Sequence, residues 1–218
     1  MVIFDCNGVL VDSELIAAEV TADEFTRAGY PLTPDIVARL FTGRRPADMF
    51  AAIEEAYHKQ LPPNLTTIVM ATTLQRLRAE VRATSHMEYA LTWLRGKKCV
   101  ASSSTLDRVR ISLEMTGLMR FFEPNLFSAS DVPRGKPAPD LFLYAAAKMK
   151  VAPADCIVVE DSPAGIAAAT AAGMVSVGFV GGSHAGPNLE ALLKNAGASA
   201  VISDMRALKG TVVELRGW

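Results

Sequence analysis

The sequence has no excess of charge of either sign and no long uninterrupted apolar run. Its 22 Lys and Arg residues nearly balance its 23 Asp and Glu residues, for a net charge of −1. Nucleic-acid-binding domains usually carry a basic excess, so nucleic acid is not an expected partner. No apolar run approaches the roughly 18 residues of a membrane span, and no basic n-region precedes the first predicted strand, as a signal peptide requires. We therefore expect a globular protein with one sizeable core, alone or with a small inserted domain.

Cysteine and histidine are also scarce. The only cysteines are Cys6, Cys99 and Cys156. Their number is odd and they lack CxxC spacing. Each lies in or beside a predicted buried strand, so we expect reduced core thiols in a cytoplasmic protein. The only histidines are His58, His86 and His184. They lie far apart without HExxH spacing, which favours surface or loop positions for all three.

The N-terminal segment contains a strand followed by a turn. The apolar run Val2–Phe4 predicts a short buried strand that ends at Asp5. Gly8 can relieve the backbone where the chain turns, and Asp12 or Ser13 can cap the next helix. Ligands of open α/β sheets bind at the carboxyl ends of the strands. Asp5 is therefore a candidate functional residue, although the same pattern also fits a simple turn.

Residues 14–82 show helical periodicity and no strand. Predicted helices cover residues 15–27, 34–40, 46–58 and 65–81. A block of helices inserted after one strand and its turn predicts a separate lid. The turn Thr42–Arg45 interrupts this block and carries two cations, Arg44 and Arg45. These arginines either contact a substrate or are merely solvated.

The remaining sequence alternates between helices and short strands. Predicted strands cover residues 98–101, 125–128, 156–159, 175–179 and 200–202. Predicted helices cover residues 87–94, 106–115, 140–150, 164–172 and 188–195. This alternation implies right-handed crossovers and a parallel sheet with helices on both faces.

Polar residues follow several of the predicted strands. They are Asp5, Ser102, Lys136, Glu160 and Asp161. Because the carboxyl ends of parallel strands share one edge, we expect these side chains to converge. Carboxylates can hold Mg²⁺, while an ammonium and a hydroxyl can neutralise and orient phosphate oxygens. The set is therefore suited to phosphoryl transfer.

The same residues also fit other motifs and roles. A P-loop at Lys136 would need glycine in place of Ser130 and Ser or Thr in place of Pro137, so that motif is excluded. Lys136 could still be an ordinary surface lysine. The acidic pair could cap the next helix, but adjacent carboxylates without a cation would repel each other.

The order of these residues resembles the haloacid dehalogenase (HAD)-like hydrolase superfamily. The string D-x-(D/N)-G-x-L-x-D-S-E, which begins at Asp5, is similar to the family's first motif. Ser102 resembles the second motif, Lys136 in G-K-P-A-P-D the third, and Glu160 with the following D-S the fourth. The narrower resemblance is to small phosphatases and β-phosphoglucomutase-like enzymes, whose helical cap follows the first motif. The matches and the predicted cap cover nearly the whole chain.

The resemblance implies a role for each residue. It implies that Asp5 is a nucleophile that forms an aspartyl-phosphate. The implied catalytic residues are Asp5, Asn7, Ser102 and Lys136. The implied Mg²⁺ site comprises Asp5, Asn7 through its main-chain carbonyl, Asp161, and Glu160 as a ligand or as support for one. Expected substrate contacts are Gly8, Glu14, Arg44, Arg45, Ser102, Ser103 and Lys136.

Asn7 departs from the family pattern. Relatives have an aspartate here that acts as general acid and base, whereas an amide neither delivers nor accepts that proton. Loss of such help reduces rates by roughly 10²–10⁴. Either the residue is a substitution that disables an ordinary phosphatase, or the chain is a naturally slow phosphatase or phosphate-binding protein. Dehalogenases also lack an aspartate here, but the D-S-E, G-K-P and E-D-S strings are closer to the phosphatases.

The sequence thus predicts an α/β fold with a Rossmann-like parallel sheet. Residues 1–13 and 84–218 are expected to form the core, and residues 14–83 a helical cap whose closure excludes water. The resemblance implies a Mg²⁺-dependent phosphatase that acts on a small phosphorylated metabolite such as a sugar phosphate. A sugar-phosphate mutase and an impaired phosphate-binding protein are the alternatives. A monomer is expected, because no apolar stripe is left over.

Overall fold

A computed structural model describes residues 1–217 of the chain. Its strands are β1 (Val2–Phe4), β2 (Val11–Asp12), β3 (Arg82–Ala83), β4 (Lys98–Ser102), β5 (Leu126–Ser128), β6 (Ile157–Glu160), β7 (Val175–Phe179) and β8 (Ala200–Ile202). Six of them form one parallel sheet in the order β5-β4-β1-β6-β7-β8. The other two, β2 and β3, form an antiparallel ribbon. Strand β1 thus lies inside the sheet, between β4 and β6.

Helices connect most of the strands. They are α1 (Glu14–Arg27), α2 (Pro34–Phe41), α3 (Pro46–Tyr57), α4 (Leu65–Glu80), α5 (Met87–Trp93), α6 (Leu106–Met115), α7 (Asp140–Met149), α8 (Pro163–Ala171), α9 (Leu189–Asn195) and α10 (Leu208–Arg216). Single 3₁₀ turns lie at Met119–Phe121, Ala129–Asp131, Pro153–Asp155 and Met205–Ala207. The Rossmann-like α/β fold predicted from the alternating pattern is confirmed. None of the helices in the described part of the chain is both long and apolar enough to cross a membrane.

Two apolar cores cover the two faces of the sheet. Alternate residues of β1 point to opposite faces: Phe4 packs in the core that includes α5, α6 and α10, and Ile3 in the core that includes α7 and α8. Both side chains are fully buried. A strand buried on both faces gives the residue that follows it, Asp5, a rigid support.

In the sequence, the four helices α1–α4 come between β2 and β3, the two strands of the ribbon. They share a third apolar core, in which Phe25 stacks on Phe50 with ring centroids 5.7 Å apart. The ribbon pairs Val11 with Ala83 and so holds the two ends of the helical block together. The expected helical insertion after the first strand is confirmed. The domain bounds at residues 13 and 83 stay a prediction.

Several details differ from the sequence-based expectation. No predicted helix or strand end lies more than one residue from the observed end, and more than half of them coincide. The short ribbon and α10 were not predicted, although Leu208 and Val212 of α10 are buried in the core. Ser13 precedes α1 as expected, but its side chain makes no cap hydrogen bond. The three cysteines are free and buried as predicted, and burial raises the pKa of each thiol.

Candidate active site

The carboxyl ends of β1, β4 and β6 bring the predicted polar residues to one edge of the sheet. Asp5 directly follows β1, and its main-chain N–H donates to the carbonyl of Val159 in β6 at 3.0 Å. Ser102 is the last residue of β4 and Glu160 the last of β6. Asp5 is 4% exposed, and Ser102 and Glu160 are fully buried. Parallel pairing alone is therefore enough to place these three groups at the same edge.

Lys136 reaches this edge from a loop rather than from a strand end. It lies eight residues beyond Ser128, the end of β5, and after a 3₁₀ turn. Its Nζ nevertheless donates to Asp5 Oδ1 at 2.6 Å, to Glu160 Oε1 at 2.5 Å and to the carbonyl of Ala101 at 3.3 Å. The lysine is 2% exposed. The surface-lysine interpretation is therefore wrong.

Burial and neighbouring charges shift the pKa values of Asp5 and Lys136. Burial raises the pKa of Asp5 well above its ordinary value, Lys136 opposes this, and Glu160 and Asp161 add to it. Burial would lower the pKa of Lys136, but Asp5 and Glu160 raise it above its ordinary value. Lys136 is consequently a permanent cation that offsets part of the buried negative charge.

Glu160 uses both of its oxygens for structure. One accepts from Lys136, and Oε2 accepts from the main-chain N–H and the hydroxyl of Ser162 at 3.0 and 2.9 Å. Ser162 in turn caps α8, because its Oγ accepts from the N–H of Gly165 at 3.0 Å. Glu160 therefore links Lys136 to the start of α8, and Ser162, not the acidic pair, caps the helix.

Asp161 points toward Gly8 and has a partner that the sequence-based reasoning missed. His184 Nε2 lies 2.8 Å from Asp161 Oδ2, and the two side chains are 5% and 1% exposed. Burial raises the pKa of Asp161 to about 6, although His184 lowers it. Burial would lower the pKa of His184, but Asp161 raises it to about 9. His184 lies in a loop as predicted, but its side chain is buried. It follows the end of β7 by five residues, and this position at the carboxyl edge of the sheet is the only sequence signal for its place in the site.

Gly8 approaches Asp161 more closely than any other residue type could. Its φ of +77° is in the left-handed region, and a Cβ would lie 1.9 Å from Asp161 Oδ2. The predicted turn glycine is thus required both by its backbone conformation and by the neighbouring carboxylate. The substrate contact of Gly8 stays a prediction.

The side chain of Asn7 is held by three serines. Its Nδ2 donates to Ser104 Oγ at 2.7 Å and to Ser102 Oγ at 3.4 Å, and its Oδ1 accepts from Ser13 Oγ at 3.0 Å. Asn7 is 7% exposed. Ser13 and Ser104 were not predicted as site residues. The network fixes the amide at the edge of the sheet beside Ser102, one of the residues predicted to bind phosphate.

A cavity of about 70 Å³ lies between this edge and the helices α1–α3. From the sheet side it is lined by Asp5, Asn7, Ser102, Ser103, Ser104 and Arg108; from the helical side its polar lining is Glu14, Thr21, Thr42 and Arg44. The structure thus brings together most of the predicted site residues. Lys136 holds Asp5 from outside the cavity, and neither Lys136 nor Glu160 nor Asp161 lines it.

The two predicted arginines differ in position. Arg44 is exposed and lines the cavity. Arg45 faces away: its guanidinium donates to both oxygens of Asp48 at 2.8 and 3.0 Å and to the carbonyl of Pro133 at 3.2 Å. Nearby, the hydroxyl of Ser103 donates to the carbonyl of Gly43 at 2.7 Å. Arg45 and Ser103 therefore connect the insertion to the core.

The donor set at this edge suits a hard divalent cation. Asp161 Oδ2 is buried and, apart from the His184 imidazole at 2.8 Å, has no partner within residues 1–217. Asp5 supplies a second carboxylate from the same edge, and oxygen ligands are those that Mg²⁺ prefers. No group of three or more Asp, Glu, His or Cys side chains suited to a metal ion is present in residues 1–217. A Mg²⁺ ion would therefore depend on main-chain oxygen, water and substrate oxygens for its other ligands.

Comparisons with known proteins agree with this geometry. A profile of the haloacid dehalogenase-like hydrolases matches residues 1–173. The chain is 30% identical to a 6-phosphogluconate phosphatase from Escherichia coli over 187 residues, 85% of each chain. It is 34% identical over 180 residues to a validoxylamine A 7'-phosphate phosphatase from Streptomyces hygroscopicus, covering 81% of this chain and 84% of the relative.

A solved structure extends the comparison to almost the full length. A haloacid dehalogenase-like protein of unknown function from Agrobacterium tumefaciens is 38% identical, with a TM-score of 0.84 over 98% of this chain and 97% of that one. The profile match spans the strands that carry Asp5, Ser102 and Glu160. The chain therefore belongs to the haloacid dehalogenase-like hydrolases.

Proposed function

We propose that the protein is a Mg²⁺-dependent phosphatase of small phosphorylated metabolites, slowed by Asn7. The observation that carries this proposal is the position of Asp5, whose carboxylate lines the cavity while Lys136 Nζ holds it from behind at 2.6 Å. A carboxylate fixed in this way can present one oxygen to phosphorus. The phosphatase relatives support the same reaction class.

The reaction has two steps at Asp5. A carboxylate oxygen attacks the phosphorus, the bond to the substrate's ester oxygen breaks, and an aspartyl-phosphate forms with release of an alcohol. Water then attacks the phosphorus, and inorganic phosphate leaves with Asp5 regenerated. Ser102, which lines the cavity, orients the phosphoryl oxygens, and the Lys136 ammonium bound to Asp5 offsets negative charge beside them.

The metal site follows from the same edge. Asp5, Asp161 and the main-chain carbonyl of Asn7 would hold Mg²⁺, which when bound supplies charge neutralisation at the phosphoryl oxygens. Glu160 supports the site through its hydrogen bonds with Lys136 and Ser162. Gly8 leaves room for the Asp161 carboxylate.

Asn7 cannot complete the proton transfers. Its amide donates to Ser104 Oγ and accepts from Ser13, so it can orient a leaving oxygen but cannot protonate it. The departing alkoxide must take its proton from water, which makes the chain slow. The same arrangement favours one second candidate, a protein that binds a phosphorylated ligand without turning it over.

The helices α1–α4 act as the cap in this proposal. The cavity beneath them, about 70 Å³, is smaller than the roughly 300–1,000 Å³ of typical ligand sites, so a sugar phosphate enters only after the cap opens. Ser103 and Arg45 hold the closed arrangement through Gly43 and Pro133. A monomeric, cytoplasmic protein stays our expectation.

Phosphate release from a panel of sugar phosphates with Mg²⁺ tests the proposal. The unmodified chain is compared with Asn7→Asp and with Asn7→Asp combined with Asp5→Asn. We expect Asn7→Asp to increase release by about 10²–10⁴ and the second change to abolish it. Binding of inorganic phosphate without release by any of the three would favour the binding protein. Absence of both binding and release would overturn the phosphatase assignment.

A further inference from the structure

The guanidinium of Arg108 has more N–H donors than hydrogen-bond acceptors around it within residues 1–217. It lies in the first turn of α6, and its side chain is 16% exposed. Among residues 1–217 its single hydrogen bond runs from Nη2 to Glu14 Oε1 at 3.4 Å, beyond the usual range of about 2.7–3.2 Å. Its Nε is buried and has no partner within residues 1–217. Buried donors are normally satisfied, so this arrangement points to a missing hydrogen-bond acceptor.

Arg108 and Glu14 face the same cavity as the proposed nucleophile. Both line it together with Asp5, Glu14 from the first turn of α1 and Arg108 from α6. The phosphoryl group already has Ser102 as its proposed partner in this cavity. Among residues 1–217 Arg108 hydrogen-bonds only to Glu14, so this pair lines the cavity without being tied to Ser102 and can meet the part of the substrate that departs as the alcohol.

The charge of the pair indicates what it can bind. A carboxylate accepts hydrogen bonds and a guanidinium only donates them, so two adjacent hydroxyl groups can satisfy both at once. The pair is neutral overall. A substrate carboxylate would lie near Glu14 and be repelled, whereas hydroxyl groups meet no such opposition.

We propose that Glu14 and Arg108 bind adjacent hydroxyl groups of a polyol phosphate and so determine the preference for its alcohol group. This proposal rests on the proposed function and names the substrate class of that site. A polyhydroxylated alcohol offers this pair adjacent hydroxyl groups, whereas a simple alkyl phosphate offers it none.

Arg110 provides a matched control. It lies two residues further along α6 and pairs at the surface with Glu123 at 3.3 Å, with side chains 39% and 56% exposed. It does not line the cavity. Arg110→Met therefore removes a guanidinium and an ion pair from the same helix without touching the proposed site.

The experiment measures dissociation constants by calorimetry with Mg²⁺ for a hexitol 6-phosphate, ethyl phosphate and 6-phosphogluconate. The slow turnover expected of Asn7 makes binding measurable. We expect the preference for the hexitol phosphate over ethyl phosphate to fall by at least about tenfold in Arg108→Met and in Glu14→Gln, and to persist in Arg110→Met. If Arg108→Met does not fold, Glu14→Gln alone decides the outcome.

Two results would overturn the proposal. One is an unchanged preference in both cavity variants with a lowered melting temperature, which identifies the pair as a structural ion pair. The other is a larger loss for 6-phosphogluconate than for the hexitol phosphate in Arg108→Met, which identifies a carboxylate anchor. Failure of the phosphatase proposal would look different from failure of this one. Phosphate release would be absent, while the preference for the hexitol phosphate in binding would still depend on Arg108.

Discussion

Lys136 Nζ lies 2.6 Å from Asp5 Oδ1, in a site where neither side chain is more than 6% exposed. The same ammonium group also contacts Glu160, so one cation lies between two buried carboxylates and offsets part of their charge. Removing a single partner from such a cluster leaves uncompensated buried charge, which costs more than the intact cluster contributes. The lysine is therefore required for the fold of this edge as well as for the proposed chemistry.

Lys136→Met should lower the free energy of unfolding by about 3–5 kcal/mol at neutral pH, as measured by urea denaturation. The loss should be smaller at pH 5 than at pH 8, because without the cation the pKa of Asp5 rises further and the carboxyl becomes neutral more easily. Lys194→Met is the control: Lys194 makes a surface ion pair with Glu190 and should cost less than about 0.5 kcal/mol. Similar losses in the two variants would contradict the cluster's role.

A pair of helix glycines tests the position of Glu160. A Cβ on Gly165 in α8 would lie 2.0 Å from the Glu160 carboxyl, whereas one on Gly210 in α10 would meet nothing within 4 Å. Gly210→Ala should stabilise the protein by about 0.5–1 kcal/mol, through the backbone entropy of glycine. Gly165→Ala should instead destabilise it by roughly 1–3 kcal/mol, because Glu160 must move away from Lys136. Thermal unfolding of both variants measures these changes in stability. If Gly165→Ala proved more stable than the unmodified chain, Glu160 would have to be free to move.

The sequence was informative where a residue's position depends only on strand order. Asp5, Ser102 and Glu160 follow short apolar runs, and the parallel pairing of those runs is enough to bring the three side chains to one edge. Lys136 is different, because a loop and a 3₁₀ turn separate it from β5. Periodicity does not describe such a loop; the G-K-P resemblance identified the lysine.

Residues contributed by loops and helix faces could not be predicted in this way. His184 contacts Asp161 only because β7 lies beside β6 and the following loop turns back over that edge. Arg108 faces the cavity because of how α6 is rotated, which one sequence does not determine to within a residue. Arg44 and Arg45 are adjacent in sequence but point to different surroundings. In each case tertiary packing, rather than local pattern, decides the contact.

The His184–Asp161 pair predicts a pH dependence of stability. The pKa of His184 is raised to about 9 in the folded protein, against about 6.5 in an unfolded chain. The stabilisation is therefore fully present below pH 6.5 and is lost as the pH rises through about 9. Over that window the free energy of unfolding should fall by up to about 1.4 kcal/mol per pH unit.

Urea denaturation between pH 6.5 and 9.5, with a chelator present, measures this slope. His184→Gln should flatten it, since the variant has no group that binds this proton. His86→Gln is the control, because His86 is 44% exposed and lies 3.2 Å from Asp204 at the surface. Retention of the full slope in His184→Gln would assign the pH dependence to another group.

The two neighbouring arginines should have separable effects. Arg44 lines the cavity, whereas Arg45 donates to both oxygens of Asp48 and to the carbonyl of Pro133. In an Asn7→Asp background, Arg44→Ala should raise KM for a sugar phosphate about tenfold, because a charged hydrogen bond to the ligand is lost. Arg45→Ala should lower Tm by about 2–4 °C, as expected for loss of about 1 kcal/mol in a chain of this size. Steady-state kinetics and thermal melts on both variants separate the two roles, and an unchanged KM in Arg44→Ala would remove that arginine from the substrate site.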